Sequence, residues 1–226
     1  MQLPQGKWYN KVTMGKYPIF LELDGRRAVV VGAGVVALRK AQVLLAAGAR
    51  LVIVADKADD IITALCQDKN AKLIKSKYSK DYLSGAVVVI AATNKPQLNR
   101  KIYKDCQELE ILCNVVDSPE LCDFFVPAVV KRGDLQIAIA TEGNCPAYAG
   151  HIRKKLEGIF TEKHSEFLAA LEKIRKEIIG DVSDSATRKA LLGKLVDDES
   201  FDYFIKEGAD GWHQRAEKIT KDYQSA

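Results

Sequence analysis

The sequence predicts an α/β fold in which a Rossmann-type parallel sheet is followed by a small β-rich region and a helical module. Three observations support this prediction. Between residues 27 and 116, short β-branched runs alternate with segments long enough to hold a crossover helix. In residues 123–141 two strand-like runs follow each other with no helix between them. Beyond Pro146, apolar residues recur at helical spacing.

Five short apolar runs supply the strands of the predicted parallel sheet. Unbroken apolar runs are typical of strands that helices cover on both faces. The segments between them are long enough to carry the chain back to the same edge of the sheet each time. The runs are RAVVV (27–31), RLVIVA (50–55), AKLIKS (71–76), AVVVIAAT (86–93) and ILCNVV (111–116).

The elements outside the sheet follow from turn residues and periodicity. The first helix presents Leu38, Ala41 and Leu44 on one face, and Gly48 supplies a stop signal. The turn KRGD joins the two later strands into a hairpin. Helical periodicity then resumes in residues 167–178, and residues 185–196 are predicted to form a further helix.

Composition limits the classes of function. The chain has 226 residues, 47% of them hydrophobic and 28% charged, which suits one large domain or two small ones. A net charge of only +4 argues against a general nucleic-acid binder. The apolar runs fall short of the roughly 18 residues that a membrane span needs, so we expect no membrane partner.

Compartment is inferred from the amino-terminal residues and the cysteines. The start MQLPQGKWYN lacks the apolar stretch of a signal peptide, which predicts a cytoplasmic protein. The five cysteines are odd in number and form no C-x-x-C pair, so we expect reduced structural thiols. The three histidines are far apart in sequence, and we predict no metal site.

The stretch GAGVVA, residues 32–37, matches the G-x-G-x-x-G/A dinucleotide fingerprint and lies between a predicted strand and a predicted helix. Gly32 permits a tight turn, and Gly34 lets the backbone approach a pyrophosphate. The phosphates would lie on the amino end of the helix. A glycine turn without a ligand is the alternative. The predicted cofactor-binding residues here are Gly32, Ala33, Gly34, Val35 and Val36.

Asp56 follows the second strand, where a carboxylate can accept hydrogen bonds from the adenosine ribose. Its charge would repel a 2′-phosphate, which favours NAD over NADP as the cofactor. Lys57 weakens this preference, because an adjacent cation tolerates a phosphate. The alternative is that Asp56 is a solvated loop charge.

Because parallel strands end at one edge of a sheet, the residues that follow the fourth and fifth strands should lie near the glycine turn. Ala92, Thr93, Asn94 and Asn114 are therefore predicted to contact the cofactor. Asp117 is the carboxylate best placed for chemistry beside a nicotinamide. An Asp that caps the turn DSPE is an equally good interpretation of the same residue.

With these segments in place, the chain resembles the precorrin-2 dehydrogenase module of siroheme synthases. The resemblance extends from about residue 14 to residue 160, and its most specific part is NVVD followed by FFVPA, KRGDLQIAIAT and a G-x-x-P motif. Where the family has a turn rich in serine, this chain has ATEGNCP, which offers no serine hydroxyl for a role there.

The resemblance implies the NAD-dependent oxidation of precorrin-2, a tetrapyrrole, to sirohydrochlorin, with Asp117 as the catalytic residue. It also implies a homodimer whose subunit has three parts: an NAD-binding Rossmann domain in residues 1–116, a dimerisation region in 117–150 and a helical module in 151–226. Some members of the family also insert iron, which makes ferrochelatase activity a secondary expectation.

A tetrapyrrole with acetate and propionate arms needs cations around it. Lys131, Arg132 and Arg153 are the candidate substrate-binding residues, since guanidinium groups bind carboxylates in two-pronged fashion. A solvated helix face is the alternative interpretation of these charges. Two other functions stay open: a non-catalytic NAD-sensing domain, and an oxidoreductase acting on a small hydroxy acid, for which His151 is the only nearby partner.

Overall fold

The structure is a computed structural model that describes residues 15–58 and 60–224. These residues form two compact units, divided between Val126 and Pro127. The amino-terminal stretch on which the argument about a signal peptide depends lies outside the described residues. Within the described residues, no helix combines the length and the apolar character required to traverse a lipid bilayer.

The first unit is built around a parallel sheet of five strands in the order β3-β2-β1-β4-β5. Because the strand order reverses between β1 and β4, the sheet has a topological switch point there, where α/β folds bind ligands. The predicted fold class is confirmed. The strands are β1 (Arg27–Val31), β2 (Arg50–Ala55), β3 (Ala71–Lys75), β4 (Ala86–Ala91) and β5 (Leu112–Val115), and the helices are α1 (Val35–Ala46), α2 (Asp60–Leu65) and α3 (Pro96–Glu108).

Alternate residues of each central strand enter two separate cores, which explains why the strand sequences are apolar throughout. On β1, Val29 and Val31 pack in the core that also contains Ile102 of α3. Ala28 and Val30 pack in the opposite core together with residues of α1 and α2. Both faces of the sheet are therefore covered by helices.

The second unit contains an antiparallel hairpin and four helices. The hairpin strands, β6 (Ala128–Arg132) and β7 (Leu135–Ile139), pair with Val130 opposite Ile137. Gly133 in the turn has a φ of +55°, and a side chain there would collide with Ser165. The helices are α4 (Pro146–Ile159), α5 (Glu162–Asp181), α6 (Ser185–Gly193) and α7 (Asp198–Gln224).

The helices of the second unit share a core of aromatic and aliphatic side chains. Trp212 lies at its centre, with its ring edge-on to Phe167 at a centroid separation of 5.3 Å. The indole Nε1 donates a hydrogen bond of 2.8 Å to the hydroxyl of Ser200, so the one polar atom of the buried ring is satisfied. Helix α7 is interrupted at Gly208, whose φ of +73° departs from helical geometry.

Candidate functional site: the carboxyl edge of the parallel sheet

The glycine turn begins at Gly32, immediately after β1. Its φ is +123°, a region that L side chains rarely adopt, and its amide donates a hydrogen bond of 2.9 Å to the carbonyl of Val54. A Cβ at this position would lie 2.7 Å from the carbonyl carbon of Ala92 and would clash with the oxygen. Glycine is required here because the turn contacts the end of β4, whether or not a ligand is bound.

Gly34 requires a different explanation. It caps the amino end of α1 with an ordinary φ of −80°, and a Cβ on it would meet no atom within 4 Å. Neither backbone strain nor packing within the described residues therefore demands a glycine. The first turn of α1 has no acidic residue and no side-chain cap among the described residues. The N–H groups of Val35, Val36 and Ala37 precede the first intrahelical bond, which Leu38 donates to Gly34, and they form the type of helix terminus that binds phosphate.

Asp56 lies just beyond β2 at the same edge of the sheet. Its carboxylate is 3.8 Å from the ammonium of Lys95, and both side chains are about half exposed. An exposed ion pair of this length contributes little to stability. The sequence pointed to Lys57 as the cation that modifies the charge of Asp56, whereas the fold brings Lys95 to it from the residue that precedes α3.

The turn after β4 is held by Asn99, which the sequence analysis did not identify. Asn99 is buried in α3 and accepts hydrogen bonds from the amide and the hydroxyl of Thr93, at 3.3 and 2.6 Å. Its own amide donates to the carbonyl of Thr93 at 3.0 Å. The side chain of Thr93 is thus used to shape the turn, while Asn94 next to it is exposed.

Asn114 is buried on β5, and its side chain bonds within the protein. The amide Nδ2 donates to the carbonyl of Phe124 at 2.9 Å and to the sulfur of Cys122 at 3.4 Å. These bonds tie the segment after the Asp117 turn back to the edge strand. Contact between Asn114 and the cofactor stays a prediction, to which the structure adds this second, structural role.

Asp117 follows β5 and is exposed. Its φ is +60°, in the left-handed region that Asp tolerates better than most residues, and the turn is closed by the amide of Ser118 donating to the carbonyl of Val115 at 3.3 Å. Within residues 15–58 and 60–224 no hydrogen bond or ion pair engages its carboxylate. Strained, unpaired polar residues are enriched at binding sites.

The position of β5 in the sheet sets the distance between Asp117 and the glycine turn. β5 lies two strands away from β1, on the far side of β4. At a strand spacing of about 4.8 Å, the two turns are separated by roughly 10 Å along the same edge. That span suits a carboxylate that acts at one end of an extended dinucleotide.

Cys122 anchors the Asp117 turn and was also missed by the sequence analysis. Its sulfur accepts from the amide of Val115 at 3.3 Å, and its thiol lies 3.3 Å from the carbonyls of Val115 and Ser118. Burial raises the pKa of this thiol, so it stays protonated and able to donate. The sequence shows only a cysteine five residues beyond Asp117, with nothing to indicate that the chain folds back on itself.

The three candidate substrate-binding cations all lie in the second unit. Arg132 donates to the carbonyl of Glu157 at 3.1 Å and lies 3.4 Å from the carboxylate of Glu162, so it joins the hairpin to the two helices that follow. Arg153 pairs with Glu157 one turn along α4. Lys131 is exposed. Two of the three guanidinium and ammonium groups are therefore engaged within the unit.

Comparison with known proteins follows the division of the chain. Residues 19–128 match a family model described as putative NAD(P)-binding, and residues 132–159 match a model described as sirohaem biosynthesis protein central. The first match covers the glycine turn, Asp56 and Asp117. The second covers the end of β6, all of β7 and all of α4.

Among the proteins with similar sequences are two that are described as siroheme synthases. One from Psychrobacter cryohalolentis is 39% identical over 169 residues, which are 75% of this chain and 32% of that protein. One from Pseudomonas putida is 38% identical over 165 residues, covering 73% of this chain and 36% of that protein. This chain spans about a third of the length of these relatives.

Among the solved structures that share the fold is one described as SirC, precorrin-2 dehydrogenase. It superposes with a TM-score of 0.74 at 24% sequence identity, and the superposition covers 90% of this chain and 100% of the SirC chain. At this identity the likeness supports the architecture: the parallel sheet, the small antiparallel sheet and the carboxyl-terminal helices.

Proposed function

The chain is homologous to siroheme synthases over 75% of its length, and from this premise we propose that it is an NAD-dependent precorrin-2 dehydrogenase that forms sirohydrochlorin. The observation that carries the proposal is the exposed Asp117 carboxylate, on a left-handed backbone at the edge that also bears the glycine turn. A protein that only senses nucleotide has no use for a free carboxylate at that position.

The chemistry divides between the two turns. Dehydrogenation of a reduced tetrapyrrole removes a hydride and a proton, and bound NAD supplies the hydride acceptor. The free N–H groups at the amino end of α1 would bind the pyrophosphate. Its position would determine how far the nicotinamide end extends along the edge of the sheet. Asp117 accepts the proton as a general base, a role that contributes on the order of 10²–10⁴-fold.

We propose NAD rather than NADP as the cofactor, because Asp56 repels a 2′-phosphate. Lys95, 3.8 Å away, reduces that repulsion.

Replacing Lys95 with Ala is expected to increase the preference for NAD, measured as the ratio of the dissociation constants for NADH and NADPH. The matched control is Lys57→Ala, which removes a neighbouring charge outside the ion pair. An unchanged ratio in Lys95→Ala, or binding of NADPH tighter than NADH by the unmodified protein, would remove this part of the proposal.

The substrate arms require cations, and Lys131, Arg132 and Arg153 are proposed to supply them. Among the described residues Lys131 forms no ion pair, so it is the one of the three that can bind a carboxylate without first losing a partner. Arg132 and Arg153 would bind an arm only by sharing or exchanging their contacts with glutamates.

We propose a homodimer, with residues 117–150 as the dimerisation region. Within this region four large apolar side chains are exposed: Phe125, Val126, Val129 and Tyr148. Exposed apolar side chains in one stretch of chain support a role in association. Light scattering on the purified protein tests the assignment, and a mass corresponding to one chain would refute it.

One assay tests the enzymatic proposal. Purified protein is incubated with precorrin-2 and NAD without air, and NADH formation is followed together with the spectrum of sirohydrochlorin. Equal amounts of both products support the dehydrogenase. NAD binding without turnover would favour the nucleotide-sensing alternative.

Iron insertion into the product stays a prediction from the family resemblance, and addition of Fe²⁺ to the completed reaction tests it separately.

A further inference from the structure

The second unit contains a group of three potential metal ligands that the sequence does not reveal. Glu177 lies on α5, and His213 and Glu217 lie one turn apart on α7. Their ligand atoms all lie within 4.8 Å of one another. From this geometry we propose that Glu177, His213 and Glu217 bind a Zn²⁺ ion that links α5 to the second half of α7.

The distances between His213 and the two glutamates leave room for a metal ion between them. His213 Nε2 lies 3.3 Å from an oxygen of Glu217 and 3.6 Å from an oxygen of Glu177. A charge-assisted hydrogen bond would be shorter, about 2.7–2.9 Å. Ligands at about 2.0–2.1 Å from a tetrahedral Zn²⁺ are about 3.3–3.4 Å apart. The two separations between His213 and the glutamates match edges of that tetrahedron to within a few tenths of an ångström, and the ligand atoms of Glu177 and Glu217 lie within 4.8 Å of each other.

The backbone that carries the ligands is held in place by the core. The neighbours of the three ligands in sequence, Ile178, Trp212 and Ala216, are each 1% exposed. The ligands therefore extend from the rim of a packed core, and binding a metal requires only adjustment of their side chains. This arrangement lowers the entropic cost of forming the site.

Charge and ligand type identify the class of ion. Two carboxylates and one neutral imidazole carry a charge of −2, which the ammonium of Lys221 near Glu217 offsets only in part, so the group attracts a divalent cation. One nitrogen and two oxygen ligands suit Zn²⁺, and the fourth position is open to water. The second oxygen of Glu217 lies 3.6 Å from Lys221, which leaves the oxygen nearest His213 to act as the ligand.

The experiment is a calorimetric titration of the full chain with ZnCl₂ in a buffer that does not chelate. We expect saturable binding of one Zn²⁺ per chain, a rise in the unfolding temperature, and a loss of affinity of about tenfold or more in His213→Ala and in Glu217→Gln. Two matched controls lie outside the group: His151→Ala removes an exposed histidine, and Glu172→Gln makes the same charge change on α5. Both are expected to keep the affinity of the unmodified protein.

A spectroscopic measurement keeps the test independent of folding defects. Co²⁺ in place of Zn²⁺ is expected to give the intense visible bands of a tetrahedral site, and His213→Ala should abolish them. Absence of saturable Zn²⁺ binding, or an equal loss of affinity in the two controls, would overturn the proposal and leave the three side chains as an ion-pair cluster. Neither result depends on the activity at the sheet edge.

Discussion

Two aspartates of the first unit, Asp105 and Asp117, differ in how fully their carboxylates are engaged by the protein. Asp105, on α3, is 7% exposed and accepts hydrogen bonds from Tyr78 at 2.8 Å and Lys101 at 2.6 Å. Asp117 is exposed, lies on a left-handed backbone, and has no partner among the residues that the structure describes. The first is a satisfied part of the framework, and the second is free to act on a ligand.

The electrostatics of Asp105 agree with a structural role. Burial alone would raise the pKa of its carboxyl, but the hydrogen bonds from Lys101 and Tyr78 outweigh burial and lower it. Burial and the hydrogen bond to Asp105 raise the pKa of Tyr78, so the phenol stays protonated as a donor. The carboxylate of Asp105 is thus satisfied by Tyr78 and Lys101 without any ligand, which is the pattern expected where a charge stabilises a fold.

Gly32 and Gly34 differ in the same way, since the fold requires the first and not the second. Among the substitutions considered, Gly32→Ala is expected to lower the free energy of unfolding most. The clash with Ala92 and the φ of +123° together should cost about 2–4 kcal/mol of the free energy of unfolding. Denaturant titration measures it. Gly25→Ala is the control, since its φ of +64° carries the strain without the clash and should cost about 1–2 kcal/mol. Equal losses would show that the contact with Ala92 is unimportant.

Asp105→Asn should lower the free energy of unfolding by about 1–3 kcal/mol, because it removes the charge that Lys101 and Tyr78 stabilise. The sign of the pH dependence follows from the lowered pKa of Asp105. Its contribution is present above the unfolded pKa of about 3.9 and is lost as the pH falls through the folded value. Denaturant titration from pH 7 to pH 2 should show the difference between the two proteins shrinking at acid pH. A constant difference would contradict the assignment.

Cys122→Ala should have a smaller effect on stability, about 1 kcal/mol, because it leaves the amide of Val115 without its acceptor. The turn that presents Asp117 should loosen, so kcat is expected to fall more than the affinity for NAD. Cys122→Ser is the control, since a hydroxyl can donate and accept in the same place. If alanine and serine variants behave alike, the thiol does not position the turn.

Gly34→Ala is expected to lower the free energy of unfolding by no more than about 1 kcal/mol, since its φ is ordinary and its surroundings are open, and only the poorer capping by alanine counts against it. The new methyl group should nevertheless weaken NAD binding, because it occupies the space through which the pyrophosphate approaches. Fluorescence titration with NADH measures the affinity. An unchanged dissociation constant would argue that no dinucleotide contacts this turn.

Patterns that repeat locally made the fold predictable. The five strands were found because unbroken β-branched runs are rare outside buried parallel sheets, and the glycine turn because its spacing is fixed by the strand and the helix around it. The hairpin followed from its turn residues. The interruption of α7 at Gly208 gave no signal of comparable strength, since an isolated glycine within a helical pattern is often tolerated.

The contacts that shape the site were beyond the sequence because they join distant residues. Cys122 reaches the Asp117 turn only because the chain doubles back on β5, and Lys95 meets Asp56 because β2 and the residue before α3 end at the same edge. Neither pairing has a sequence spacing that distinguishes it from chance. Of the residues that the sequence analysis missed, Asn99 was the easiest to predict, because it is a polar residue on the buried face of an amphipathic helix.

The most direct test of the account is to measure turnover and cofactor affinity together in Asp117→Asn. This substitution keeps the size of the side chain and its tolerance of the left-handed backbone, but it removes the base. We predict a fall in kcat of about 10²–10⁴-fold with precorrin-2, while the dissociation constant for NADH and the unfolding temperature stay unchanged. Undiminished turnover, or a parallel loss of turnover and NADH affinity, would contradict the claim that Asp117 acts on the substrate at the edge of the sheet.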